Sequence, residues 1–176
     1  MKRALFLDRD GTVIEDRGYM HDPALVQLLP YAAETLRAIE REGWALVVVS
    51  NQSGVGRGLI TPQELDAVQS RFPEVMSTAG VAITASYVCV HRPDEGCRCR
   101  KPSPFYVEQA AREYGLELKR SWMIGDRRSD VLCGKNAGCG TIWLSNPLFP
   151  VVEGVADFVA QGWREVRAIL AKQAGS

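Results

Sequence analysis

The sequence predicts an α/β fold built on a doubly wound, Rossmann-like parallel sheet. Short apolar runs rich in β-branched residues recur along the 176-residue chain and alternate with segments of helical spacing. Several of the runs end in acidic or glycine-rich turns, which is typical of parallel strands whose carboxyl ends border a ligand crevice. With 46% hydrophobic residues, the chain suits a single domain over 1–176 with a substantial core.

Charge and targeting signals limit the classes of partner that we expect this protein to bind. The chain carries 21 basic and 21 acidic residues and no net charge, so no overall field attracts nucleic acid or an anionic membrane. The apolar run near the amino terminus is too short for the core of a signal peptide, and no stretch approaches a membrane span. We therefore expect a cytoplasmic monomer that binds neither nucleic acid nor membranes.

The first predicted strand starts at Ala4 and breaks off at Asp8, which is followed by Arg9, Asp10 and Gly11. On an extended segment, residues two apart share a face, so the two carboxylates can hold one divalent metal or divide nucleophilic and acid/base roles. A strand end with two solvated acids is the alternative. The polar residues 13–23 then form a loop that we expect to border the crevice.

A helix predicted over 31–42 leads to a second buried strand over 44–49. Residues 50–58 follow this strand and contain three glycines among small polar side chains, with Arg57 near the end. Backbone N–H groups and hydroxyls in such a segment can surround a phosphate, although a plain flexible loop is the alternative.

The next helix is predicted to begin with Thr61 as its N-cap, with Glu64 completing a capping box, and to run to about Ala79. Pro73 is expected to kink or divide it. A third strand is predicted over 81–88.

Four metal-binding side chains follow within eleven residues, namely Cys89, His91, Cys97 and Cys99. Three thiolates and one imidazole are the ligand set of a closed, structural zinc site, which would not activate water. Free thiols in a cysteine-rich loop are the alternative. Cys133 and Cys139 have no histidine nearby, and we expect them to be buried, unreactive thiols.

Arg100 and Lys101 directly precede a predicted helix that has Ser103 as its N-cap and ends at Gly115. The helix dipole and its free N–H groups favour an anion there, although a solvated basic pair is the alternative. Further strands are predicted over 121–124, 140–144 and 157–160, with a helix after Asp126 and a closing helix over 163–172.

Right-handed connections place every strand's carboxyl end at one edge of the sheet. Carboxylates suited to a hard cation, hydroxyls and Lys101 would therefore meet there, and this combination is typical of phosphoryl transfer. A carboxylate such as Asp8 attacks a phosphate dianion only if the negative charges are neutralised, so Mg²⁺ and Lys101 are chemically required companions.

Four segments, taken in order, resemble the motifs of the haloacid dehalogenase (HAD) superfamily: Asp8–Thr12, Ser50–Asn51, Lys101, and Gly125–Asp126 with Asp130. The resemblance implies a HAD-type sheet, and the short spacing between motifs leaves no room for a large cap domain. It further implies that Asp8 is a nucleophile that forms an aspartyl-phosphate. Asp10 would be the general acid and base, as in the phosphatases of the superfamily.

By the same resemblance, Asp8, the backbone carbonyl of Asp10, and Asp126 would hold Mg²⁺, while Ser50 and Lys101 would hold the phosphoryl oxygens. The zinc loop is similar to that of two groups in the superfamily, which act on a heptose bisphosphate and on histidinol phosphate. The segments 51–58 and 16–19 resemble the heptose group more closely. Arg127 stands where the heptose group usually has lysine, and Arg127 and the short zinc loop are equally at home in the histidinol group. The substrate contacts implied for a small phosphorylated molecule are Thr12, Asp16, Tyr19, Ser50, Asn51, Gln52, Ser53, Arg57, Arg100, Lys101 and Arg127. A non-catalytic zinc-binding module is the alternative from another class.

Overall fold

The computed structural model describes residues 2–174, and within them six strands form one parallel sheet flanked by five α-helices. The strands are β1 (Ala4–Leu7), β2 (Ala45–Asn51), β3 (Ala85–Cys89), β4 (Trp122–Gly125), β5 (Gly140–Leu144) and β6 (Phe158–Ala160). The helices are α1 (Ala32–Arg41), α2 (Pro62–Thr78), α3 (Phe105–Tyr114), α4 (Arg128–Asn136) and α5 (Trp163–Ala174). Short 3₁₀ turns lie at Pro23–Leu25 and Leu118–Arg120. The predicted α/β class is confirmed, and no large cap interrupts the described elements.

The strand order is β3-β2-β1-β4-β5-β6. The chain builds outward from β1 in one direction through β2 and β3, and then in the other direction through β4, β5 and β6. The order therefore reverses beside β1, and doubly wound sheets bind ligands outside the carboxyl ends of the strands at such a switch point.

Strand β1 is buried on both faces of the sheet, with alternate side chains pointing to opposite sides. Leu5 and Leu7 of β1 belong to one core cluster with residues of α1, α2 and α5. Ala4 and Phe6 belong to a second cluster with residues of α3, and Cys133 and Cys139 lie in it. Burial raises the pKa of both thiols to about 12, which agrees with the prediction of unreactive buried cysteines.

Several predicted boundaries need correction. Strand β2 continues through Ser50 and Asn51, because both residues pair with β3. Strand β3 begins at Ala85 and not at residue 81, because Val81 is buried and donates its N–H to the Met76 carbonyl at the end of α2.

Two predicted helix features also differ. Pro73 lies inside α2 without dividing it, since a proline removes one hydrogen bond and the helix continues on both sides. The N-cap of α3 is Pro104 and not Ser103, whose hydroxyl accepts only a 3.3 Å bond from the Phe105 N–H. The capping box of Thr61 and Glu64 and the left-handed Gly115 at the end of α3 are confirmed. No helix in the described part of the chain is long and apolar enough to cross a membrane.

Candidate active site

The predicted catalytic carboxylates gather at the carboxyl edge of the sheet, next to the switch point. Strand β1 pairs with β2 on one side and with β4 on the other, so Leu7 lies opposite both Val48 and Ile124. Asp8 follows β1 directly, and its N–H donates to the Ile124 carbonyl at 3.0 Å. Asp126 follows β4. Strand pairing alone therefore brings the first and last acidic motifs together.

Lys101 lies at the centre of this group and is almost fully buried. Its Nζ donates to Asp8 Oδ1 at 2.6 Å and to the Val49 carbonyl at 2.6 Å, and it is 2.8 Å from Asp130 Oδ1. Burial disfavours the ammonium, but the charges of Asp130 and Asp8 outweigh burial and raise the pKa of Lys101. The lysine is therefore cationic and is held against the predicted nucleophile.

Three buried carboxylates form a cluster in which one oxygen of each lies within 4.8 Å of the others: Asp8, Asp126 and Asp130. Asp126 Oδ1 has no hydrogen-bond partner among the described residues, whereas its Oδ2 accepts from Asn146 Nδ2 at 2.6 Å. Burial, together with the neighbouring carboxylates, raises the pKa of Asp126 to about 7 and that of Asp130 to about 6, the latter against the attraction of Lys101. A carboxylate oxygen with no hydrogen bond, beside two like charges and with Arg127 Nε 4.0 Å away, fits a hard divalent cation.

Two glycines make room for this cluster. A Cβ on Gly11, where φ is +80°, would lie 2.3 Å from Asp126 Oδ2, and a Cβ on Gly125 would lie 2.2 Å from the Asp130 Cβ. Any side chain at either position would therefore displace a carboxylate.

Asp10 lies beside this cluster and outside it. Its Oδ2 accepts from Arg9 Nε at 3.0 Å and from Gln52 Nε2 at 2.5 Å, and its Oδ1 accepts from Arg9 Nη2 at 3.2 Å. Burial raises the pKa of Asp10 despite the opposing charge of Arg9. A carboxyl group at the crevice whose pKa is raised by burial suits general acid chemistry. The metal contact predicted through its backbone carbonyl stays a prediction.

A crevice of about 450 Å³ opens in front of these groups. It is lined by eleven of the predicted residues: Asp8, Asp10, Asp16, Tyr19, Asn51, Gln52, Ser53, Arg57, Arg100, Lys101 and Arg127. A larger, mainly apolar cavity of about 640 Å³ adjoins it through Asp16 and Leu148 but contains none of the carboxylates of the cluster.

Two predicted substrate contacts are less accessible than expected. Ser50 is 1% exposed, and its hydroxyl accepts from Gln52 Nε2 at 2.8 Å. Thr12 is fully buried behind the site, with its hydroxyl unpartnered among the described residues and its carbonyl accepting from Trp163 Nε1. The structure therefore does not bring Thr12 to the crevice.

Two arginines lie at the mouth of the crevice, and each contacts a neighbouring residue. Arg127 Nη2 is 2.9 Å from Asp16 Oδ2, and its guanidinium lies 4.1 Å from the centre of the Phe149 ring. Arg100 Nη1 donates to the His91 carbonyl at 3.2 Å, which ties Arg100 to the cysteine-rich loop.

The four predicted zinc ligands come together in that loop. The sulfur atoms of Cys89, Cys97 and Cys99 are 3.0 to 3.7 Å apart, and His91 Nδ1 is 3.3 Å from Cys99 Sγ and 3.6 Å from Cys89 Sγ. These separations are too long for disulfides, and the two that involve Cys97 are close to the ~3.7 Å edge of a tetrahedral zinc–sulfur site. The donor set and its spacing fit zinc.

Sequence reasoning missed two polar residues of the site. Asn146 binds Asp126 and lies two residues beyond the end of β5, so its place after a strand was a usable signal. Arg9 binds Asp10 from the interior, and a lone arginine between two acids carries no signal of burial.

Comparisons with known proteins agree with this geometry. A HAD-hydrolase-like family model matches residues 98–146. A D-glycero-β-D-manno-heptose-1,7-bisphosphate 7-phosphatase from Helicobacter pylori strain J99 is 39% identical over 136 residues, which is 77% of this chain and 78% of that protein. The enzyme of the same name from Escherichia coli K12 is 30% identical over 180 residues, covering 97% of this chain and 94% of that protein.

The chain belongs to the D-glycero-β-D-manno-heptose-1,7-bisphosphate 7-phosphatase family of HAD-like hydrolases. It is therefore a phosphoric monoester hydrolase, as predicted, and membership argues against the alternative of a non-catalytic zinc-binding module. A solved member of this family from B. bronchiseptica, described as a complex with magnesium and phosphate, has a TM-score of 0.84. It is 29% identical and covers 98% of this chain and 99% of that one.

Proposed function

We propose that this phosphatase removes the 7-phosphate of D-glycero-D-manno-heptose 1,7-bisphosphate in a Mg²⁺-dependent reaction through an aspartyl-phosphate on Asp8. The observation that carries the mechanism is the placement of Lys101 Nζ 2.6 Å from Asp8 Oδ1, among buried carboxylates that need a cation. The names of the curated relatives support the heptose bisphosphate over histidinol phosphate, which remains the second candidate for the assay.

The residues divide the chemistry between them. A carboxylate oxygen of Asp8 forms a bond to phosphorus while the bond from phosphorus to the leaving oxygen breaks, and Asp10 gives its proton to that oxygen. Asp10 then takes a proton from a water whose oxygen attacks phosphorus, and the bond from Asp8 to phosphorus breaks to return the carboxylate. Lys101, the Ser50 hydroxyl and nearby backbone N–H groups would hold the phosphoryl oxygens throughout.

Mg²⁺, held by Asp8, Asp126 and the backbone carbonyl of Asp10, would screen the negative charge that Asp8 and the phosphate bring together. The Oδ1 of Asp126, which is buried and accepts no hydrogen bond from the described residues, supports this assignment. Asp130 binds Lys101 and accepts from the Arg127 N–H at 2.9 Å, so we assign it to fixing Lys101 and the start of α4.

Zinc at Cys89, His91, Cys97 and Cys99 is part of the same proposal, in a structural role. A loop that depends on reduced thiols also supports the predicted cytoplasmic location. We further propose that the protein is a single-domain monomer that acts on a small phosphorylated substrate and binds neither nucleic acid nor membranes.

The test is phosphate release by Asp8→Asn, with the exposed Asp94→Asn as a matched control. We expect Asp8→Asn to abolish Mg²⁺-dependent release while the protein still folds, because the amide cannot attack but its oxygen can still accept from Lys101. Near-normal turnover would refute the covalent mechanism. A higher kcat/KM for histidinol phosphate than for the heptose bisphosphate would leave the mechanism standing and overturn the substrate.

A further inference from the structure

Arg9 lies between the two catalytic aspartates in sequence, yet it is fully buried. Arginine is rarely fully buried unless its guanidinium is paired. Its Nε lies 3.0 Å from Asp10 Oδ2, and its Nη2 lies 3.0 Å from Oδ2 and 3.2 Å from Oδ1. The third nitrogen, Nη1, donates to Gln69 Oε1 on helix α2. The guanidinium therefore spans from a core helix to the acid at the crevice.

The hydrogen bonds to Asp10 are unevenly shared between its two oxygens. Oδ2 accepts from both Arg9 Nε and Gln52 Nε2, whereas Oδ1 accepts only from Arg9 Nη2. A carboxylate oxygen has two in-plane lone-pair positions, so Oδ2 is filled and Oδ1 keeps one position open among the described residues. Asp10 lines the crevice, and Oδ1 is its oxygen with an open position.

We propose that Arg9, fixed by Gln69, is a positioning residue that orients the Asp10 carboxylate so that Oδ1 exchanges the proton with the leaving group. This rests on the acid role of Asp10 in the proposed function. When the bond from phosphorus to the leaving oxygen breaks, that oxygen keeps the electron pair and takes the proton from Oδ1, giving the free alcohol. Arg9 touches no substrate, because none of it is exposed.

A merely structural role would have a different signature. If Arg9 only tied the end of β1 to α2, its loss would lower the activity on all phosphate esters alike. A mispositioned acid instead harms only esters whose leaving group needs a proton. An alkyl alcohol needs it, whereas p-nitrophenolate leaves readily without one.

The experiment compares kcat/KM for an alkyl phosphate and for p-nitrophenyl phosphate. The value of kcat/KM reports events up to the first irreversible step, so the later role of Asp10 as a base does not affect it. The variants are Arg9→Met, Arg9→Lys, Gln69→Leu and Asp10→Asn. The matched controls are Arg3→Met, at the opposite end of β1, and the exposed Gln63→Leu in α2.

We expect Arg9→Met to lower kcat/KM for the alkyl ester by ~100-fold and for the p-nitrophenyl ester by less than ~3-fold, in the range of general acid catalysis. Arg9→Lys should recover part of the loss, since it keeps the charge but not the paired contact. Gln69→Leu should show the same selectivity with a loss of ~5-fold, and the controls should show none.

Equal losses on both esters in Arg9→Met, at an unchanged melting temperature, would overturn the inference and leave the proposed function intact, provided that Asp10→Asn is selective. If Asp10→Asn is itself unselective, the acid role and the inference fail together. If Arg9→Met does not fold, the Gln69→Leu variant is the test. A lower kcat/KM for the alkyl ester with an unchanged kcat/KM for the p-nitrophenyl ester supports the inference, and any other pattern overturns it.

Discussion

Asn51 and Lys101 lie fifty residues apart and form a reciprocal pair. The Asn51 side-chain Nδ2 donates to the Lys101 carbonyl at 3.2 Å, and the Lys101 N–H donates to Asn51 Oδ1 at 3.0 Å. The asparagine ends strand β2, so the sheet itself fixes the backbone from which the buried lysine reaches Asp8. Asn51 was predicted to contact the substrate, which stays a prediction, and the structure shows its contact with Lys101.

Replacing Asn51 should therefore impair catalysis through Lys101. We expect Asn51→Ala to lower kcat by ~10-fold, since the loss of two part-buried hydrogen bonds costs about 1.5 kcal/mol of positioning. Asn136→Ala is the matched control, because Asn136 Nδ2 binds the adjacent Pro102 carbonyl at 2.9 Å from the exposed side. Steady-state phosphate release measures both. Equal effects of the two variants would show that the Asn51 pair has no special role.

Magnesium binding should weaken as the pH falls below about 7. Burial, with the charges of Asp8 and Asp130, raises the pKa of Asp126 from 3.8 to about 7, and a metal ligand must lose its proton. We expect the Mg²⁺ dissociation constant to rise by up to ~10-fold per pH unit below that point. Titration at pH 6, 7 and 8 measures it, and a constant affinity across this range would contradict the prediction.

The same raised pKa makes the stability of the metal-free protein depend on pH. Between pH 4 and 7 the folded state binds more protons at Asp126 than the unfolded chain does, so this group's contribution to the free energy of unfolding decreases as the pH rises. The increase in melting temperature caused by Mg²⁺ should therefore be larger at pH 8 than at pH 6. Asp126→Asn should lose this pH dependence.

Zinc should be present at about one ion per chain in protein purified under reducing conditions. Residues 90–100 contain no helix or strand, so the ion would hold the loop that carries Arg100 and Lys101. We expect Cys99→Ala to lose zinc, thermal stability and most activity, as measured by elemental analysis, melting and phosphate release. Cys139→Ala, a buried thiol outside the cluster, should keep the zinc. Stable, active protein without zinc would refute the structural role.

Substrate choice should depend on the arginines at the crevice mouth. A bisphosphate presents a second dianion that Arg127 and Arg100 can bind, and a small monophosphate does not. We expect Arg127→Ala to lower kcat/KM by ~10-fold for the heptose bisphosphate and by less than ~2-fold for a small monophosphate. The exposed neighbour Arg128 supplies the matched control, Arg128→Ala. Equal losses on both substrates would mean that Arg127 does not bind the remote phosphate.

Local patterns in the sequence were enough to predict the strands, the acids that follow them and the four zinc-type ligands. Asp8 and Asp126 are recognisable because each ends a short apolar run. A parallel strand that is buried on both faces consists of a nearly continuous run of apolar residues, so the run itself predicts the strand. The cluster of Cys89, His91, Cys97 and Cys99 could be predicted for a similar reason, since its members are close in the chain.

Tertiary structure alone decided which distant groups become partners. The burial of Arg9 against Gln69, the pairing of Asn51 with Lys101 and the withdrawal of Thr12 behind the crevice all depend on strand order and helix packing. Polarity patterns record how buried a residue is and how the local backbone runs. They carry no information on which side chain, fifty or more residues away, will fill the space beside it, because that is set by the packing of the whole sheet with its helices.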